Sequence, residues 1–140
     1  MKKTFRLPNS ERGQSLVELS ISILILIYLL SGAVEFGIAF FQFVQLRDAA
    51  QEGALYASLN PGDTTNITAR IQQSSDSPID LTTITPNIAY DGDLCEGNGV
   101  TVSLTYNHNV FMPFMSAFTG PSIPLTASVT DTILTPICPP

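Results

Sequence analysis

Residues 11–30 read ERGQSLVELSISILILIYLL. A polar leader ends at Arg12-Gly13, and the apolar run that follows already contains a carboxylate, Glu18. From Leu19 to Val44 the run is broken only by Ser20, Ser22, Ser31, Gly32, Glu35, Gly37 and Gln42. It exceeds the roughly 20 residues that span a bilayer. Four Ile and four Leu fall between Ile21 and Leu30. They supply about 2.5–5 kcal/mol of insertion drive, against about 2.5–3.5 kcal/mol for one central charge such as Glu35. The segment is predicted to insert.

The helical pattern continues past the apolar run. Residues 45–59, QLRDAAQEGALYASL, are rich in helix formers. Ala50, Ala54 and Ala57 recur at helical spacing, beside a second row of Ala49, Gly53 and Ala57. Asn60-Pro61-Gly62 then stops the helix, because proline cannot continue it. One helix from Gln14 to Leu59 would be about 69 Å long, so its distal half must leave any bilayer.

Charge sets the direction. Residues 1–13 carry Lys2, Lys3, Arg6 and Arg12 against Glu11, a net +3. Residues 45–140 carry two arginines against nine carboxylates, a net −7. Positive flanks stay in the cytoplasm, which puts the C-terminal part outside. So acidic an exported domain is a poor partner for phosphate backbones, which argues against nucleic-acid binding.

Beyond the helix the apolar period becomes two. Val100, Val102, Leu104 and Tyr106 alternate with hydroxyl residues, as do Leu125, Ala127, Val129 and Ile133. A weaker strand is predicted over 84–90, with turn residues Asp91 to Asp93 and Glu96 to Gly99 before the next strand. A short helix is predicted over 68–74 from Ile67 and Ile71. Three strands with one apolar face need a cover, and the alanine rows of the long helix provide it. The predicted fold is therefore α+β: a long N-terminal helix with a small antiparallel sheet on its outer half.

Cys95 and Cys138 both fall on the outer side, and two exported cysteines in one small domain more often pair than stay free. Unrelated thiols remain the alternative. A bridge would close a loop of about 44 residues, worth about 4 kcal/mol on chain entropy. His108, the sole histidine, suits a structural or surface role better than metal ligation. Asp91, Asp93 and Glu96 miss the EF-hand spacing and read as loop acids. Asn66-Ile67-Thr68 matches a glycosylation sequon, a pattern common by chance. No nucleophile–base pair, phosphate loop or metal cluster is legible, so the chain reads as non-enzymatic, without a cofactor.

Arg12-Gly13 followed by Gln14-Ser15-Leu16-Val17-Glu18 resembles a prepilin leader, with the acid at the fifth mature position. RGQSLVELS, GAVEFGIAFFQF and LRDAAQEGALYAS together resemble the TadE-like minor pseudopilins of tight-adherence pilus systems. The resemblance implies a pilin-like fold and cleavage by a prepilin peptidase between Gly13 and Gln14. It implies a single-pass protein of the cytoplasmic membrane whose partners are other pilin and pseudopilin subunits and the assembly platform. It also implies that Glu18 offsets a neighbour's amino terminus, which would bias subunit register. On this scheme residues 1–13 are the leader, 14–44 the membrane span, 45–60 its outer continuation and 61–140 the exported β-rich domain.

The chain departs from the pattern at Leu19, where tyrosine is common in major pilins, and at Gln14, where other type IV pilins have phenylalanine. It has Glu35-Phe36-Gly37-Ile38 where related sequences read Glu-Phe-Gly-Arg. Glu35 therefore lacks that arginine. The row Ser31, Glu35, Ala39 and Gln42 fits an assembly contact between helices in lipid, or equally a watery interface. Phe36, Phe40 and Phe43 fit a subunit-packing ridge or lipid-facing aromatics. The rival reading is a surface binding or adhesion module that does not polymerise. It would be either anchored or secreted after a cut at Ala33, and secretion would leave an apolar helix from Val34 to Val44 uncovered.

Overall fold

The computed structural model describes residues 11–74, 78–136 and 138. The first ten leader residues lie outside this set. The long helix α1 spans Glu11–Leu59, 49 residues, or about 74 Å. It begins before Gln14 because nothing between Glu11 and Gln14 breaks a helix. The bond that the resemblance marks for cleavage thus lies within helical backbone. α1 is long and apolar enough to cross a membrane, and its most apolar stretch is almost wholly uncovered by the rest of the chain. A soluble core helix would have that stretch buried.

The helix α2, Thr64–Gln73, starts one turn earlier than the apolar spacing suggests. Asp63 caps it, accepting from the Asn66 backbone N–H at 3.2 Å and from the Asn66 side-chain amide at 2.7 Å. Chiefly the Asn66 amide groups hold the Asp63 carboxyl below its ordinary range. The cap therefore operates at neutral pH and is lost as pH falls through that lowered value. α2 leads through a 3₁₀ turn, Leu81–Thr83, to strand β1, Asn87–Asp91. The strand is shorter than predicted because Ile84 ends the 3₁₀ turn, although it stays in the core.

Strand β2, Gly99–Asn109, pairs antiparallel with β1 on one side and with β3, Ser122–Thr132, on the other. On the outer face Thr101 meets Thr130, Ser103 meets Ser128 and Thr105 meets Thr126, hydroxyl to hydroxyl at 2.8–3.1 Å. The inner face presents Val100, Val102 and Leu104, with Ala127 opposite Leu104. It packs on Leu46, Ala49, Ala50, Ala54 and Ala57 of α1, all fully buried. The α+β architecture and the alanine-lined contact are those expected from the sequence. Small side chains matter here because they let the sheet and α2 approach the helix axis. A third helix, α3 (Pro113–Thr119), interrupts the β2–β3 connection and was not expected.

The C-terminal tail secures the far end of α1. Leu134 N–H donates to the Ser58 carbonyl at 2.8 Å, and Thr135 Oγ1 to the Leu59 carbonyl at 2.6 Å. Both carbonyls belong to the last turn, where a helix has no partners of its own. A disulfide between Cys95 and Cys138, with Cα atoms 5.4 Å apart, ties the tail to the β1–β2 connection.

Gly53 marks the tightest approach. A Cβ there would lie 2.6 Å from Ile71 Cγ1 and 2.7 Å from its Cδ1, and Ile71 is fully buried. Gly→Ala in an open helix gains about 1 kcal/mol, whereas overpacking a core costs about 1–3 kcal/mol. Gly53→Ala should therefore lower the thermal midpoint of the detergent-solubilised protein. Gly37→Ala, with nothing within 4 Å, should not lower it.

Candidate functional site

Glu35 stands on α1 in the middle of the apolar composition, yet only 4% of it is exposed. The end of β2 and the loop beyond it cover the carboxylate. His108 continues the inward phase of β2 after Val100, Val102, Leu104 and Tyr106, so its ring turns towards α1 and is 2% exposed. Its Nε2 lies 2.8 Å from Glu35 Oε1 and its Nδ1 lies 2.6 Å from Gln42 Oε1. Gln42 is two helical turns beyond Glu35 on the same face. The backbone N–H of Phe111 donates to Glu35 Oε1 at 2.9 Å, and that of Met112 to Oε2 at 3.0 Å.

The arrangement has a clear chemical logic. Met112 is the N-cap residue of α3 and has no side-chain oxygen to cap with. The carboxylate of Glu35 performs that service from another element, at the end of the helix that favours an anion. A carboxylate oxygen only accepts, so His108 Nε2 donates to Glu35 Oε1, while Nδ1 either donates to the Gln42 carbonyl or, with that amide turned, accepts from its NH2.

The residues singled out from sequence separate into two groups. Glu35 and His108 are brought together, although the sequence offered no reason to pair them. The partners of Glu35 in this fold lie in its own chain, on His108 and the two backbone N–H groups beyond β2. Gly13, Gln14 and Glu18 stay on the uncovered part of α1, with exposed side chains at Gln14 and Glu18. Ser20 and Ser22 bond back to the Leu16 and Glu18 carbonyls and so add no free polar group to this surface. The phenylalanine row divides. Phe36 and Phe40 stack on each other outside, with ring centroids 6.1 Å apart, while Phe43 packs against the core. Among the described residues, no group of three His, Cys, Asp or Glu side chains is placed to hold a metal ion.

Among the described residues, one helix is long and apolar enough to span a membrane and carries a small α+β domain on its C-terminal half, the plan of a single-pass anchored protein. Residues 13–55 match the family model described as TadE-like protein. The match begins at Gly13, ends four residues short of the end of α1, and includes Glu18, Glu35 and Gln42. His108 and all three strands lie outside it. No curated protein and no solved structure matches the chain.

Three donors converge on two carboxylate oxygens at Glu35, so the amide of Glu35→Gln would turn an NH2 towards one of them. An unsatisfied buried donor costs about 1–3 kcal/mol. Glu35→Gln should lower the urea midpoint in detergent by a corresponding amount, while Glu18→Gln should leave it unchanged. Equal midpoints for the two variants would refute the assigned role of Glu35.

Proposed function

We propose that this chain is a non-enzymatic pseudopilin of a tight-adherence pilus system, anchored by α1 in the cytoplasmic membrane with its N-terminus inside. The reading rests on one observation above others: a TadE-like segment begins at Gly13 and carries the Glu18 carboxylate on an uncovered apolar helix. In this reading a prepilin peptidase removes residues 1–13, and residues 14–44 span the bilayer. Residues 45–60 carry the helix outward beneath the exported domain of residues 61–140. Other pilin-like subunits and the assembly platform are its partners.

The chemistry expected of each site residue follows. Glycine before the scissile bond lets an unwound backbone enter the peptidase cleft closely, since no side chain intervenes. Cleavage leaves an ammonium on Gln14. The Glu18 carboxylate of one subunit then offsets the ammonium of the next, and a paired charge in low dielectric is far cheaper than a lone one. Cyclisation of the terminal glutamine would remove that ammonium. The secreted alternative, cut at Ala33, fits less well because it would discard Tyr28 and Gly32, which α3 packs against.

A Cβ added at Gly13 would meet nothing within 4 Å, so alanine is accommodated there without disturbing the fold. Loss of processing in Gly13→Ala would therefore report on the peptidase step. The mature protein recovered from native membranes should begin at Gln14 or its cyclised form, and Gly13→Ala should retain the leader and impair piliation. A start at Val34, or normal processing and pili in the variant, would overturn the proposal.

A further inference from the structure

We propose that α3 and the loop leading into it lie in the outer leaflet of the membrane beside α1, giving the exported domain a second lipid contact. The inference rests on the reading that α1 spans the bilayer.

Composition is the first argument. From Gly97 to Thr130 the chain contains no Asp, Glu, Lys or Arg, whereas the exported part as a whole is strongly acidic. Within that stretch, residues 110–118 read VFMPFMSAF. Phe111 and Phe118 are 79% and 77% exposed, more than any other large apolar side chain among the described residues. A patch of this kind in a water-facing loop marks an interaction site.

Placement identifies the partner. The Phe118 ring meets the Tyr28 ring edge-on, with centroids 6.0 Å apart, and Met115 Sδ lies 3.7 Å from a Cβ position on Gly32. Tyr28 and Gly32 belong to the apolar run that the bilayer must cover. α3 therefore descends alongside α1 from the level of Glu35 to that of Tyr28. Seven residues separate these levels, about 10 Å along the helix. The exposed phenylalanines thus continue the apolar surface of α1 itself, which has lipid around it at this height. Between α1, α3 and β3, an apolar cleft of about 400 Å³ is walled by Phe36, Phe40, Phe43, Met115, Ile123 and Leu125. Acyl chains fill such a cleft better than water does.

The polar groups of the segment are prepared for that environment. Backbone N–H groups in lipid must be satisfied internally. Phe111 and Met112 donate to Glu35, Val110 donates to the Pro121 carbonyl, and Met115 and Ser116 donate to the Met112 carbonyl. Gly120 N–H closes α3 on the Ser116 carbonyl, and Thr119 Oγ1 donates to that of Met115. On this account Glu35 is the device that carries the loop into the membrane.

The chain contains no tryptophan, so one introduced residue is an unambiguous reporter. The full chain is reconstituted at high lipid excess in phosphatidylcholine vesicles. Each variant carries one of Phe111→Trp, Phe118→Trp, Leu26→Trp in the span or Leu55→Trp on outer α1. Far-UV circular dichroism confirms that each variant keeps its fold. Lipids brominated near the headgroup end should quench Phe111→Trp and Phe118→Trp about twofold or more, as expected for side chains at the acyl boundary. Leu26→Trp should respond best to deep bromines, and Leu55→Trp to neither. Quenching at residue 26 with water-like emission at 111 and 118 overturns the inference and leaves the anchor intact. Shielding of 111 and 118 from both bromolipid and aqueous acrylamide means that a second copy covers them, which also overturns it. Absence of quenching at residue 26 overturns the anchor and the inference together.

Discussion

Three donors close on the carboxylate of Glu35, and the relation between the apolar N-terminal part of α1 and the small α+β domain depends on them. A carboxylate on an apolar helix is costly unless it is paired and hydrogen-bonded. Here one residue satisfies four demands: its own, those of the Phe111 and Met112 N–H groups, and that of the His108 ring. Gln42 holds the other side of the ring. The end of β2 is thereby fixed to α1 about 11 residues before the first buried position of the alanine-lined core, Leu46. That spacing corresponds to about 16 Å of helix. Two separated attachments, one apolar and one polar, resist rotation of the sheet about α1 in a way that one could not.

The apolar attachment works through smallness. Alanines at 49, 50, 54 and 57 and glycine at 53 leave a shallow bed, into which Ile71, Val102 and Leu104 settle from opposite partners. Side chains this small bury little area of their own, so much of the stabilisation comes from the larger residues that reach them. The tail contributes differently, since its bonds to the Ser58 and Leu59 carbonyls satisfy the helix end that the Pro61 stop leaves open. The disulfide then prevents the tail from peeling away from the β1–β2 connection.

Much of this was legible in the sequence, for physical reasons that also explain the failures. Composition and periodicity are local signals, and they were enough for α1, its alanine rows and the alternating strands. The inward phase of β2 extends two residues beyond Tyr106, which is sufficient to place His108 inside. The pairing with Glu35 was hidden because its partner lies 73 residues away and the natural expectation was an arginine three residues on. α3 has a proline at its start and a glycine after its end, two helix-boundary signals that the sequence reading left unused. The early start of α2 was masked by threonines, poor helix formers that yield to the Asp63 cap.

The two acids of the apolar segment have unequal freedom. Glu35 is fully engaged inside its own chain, and its oxygens already serve three donors. An approaching subunit would have to displace one of them, with the loss of a buried hydrogen bond, to use that charge. Glu18, about 25 Å nearer the N-terminus, is exposed on a stretch that the C-terminal domain does not reach. In the proposed assembly Glu18 is the exposed charge available to set register, whereas Glu35 holds the end of β2 and the loop beyond it on α1. Ile38, after Gly37, brings no cation to the Glu35 carboxylate. A cation on the neighbouring turn would compete with His108 for the same carboxylate, and the histidine brings β2 and the loop with it, which an arginine on α1 could not do.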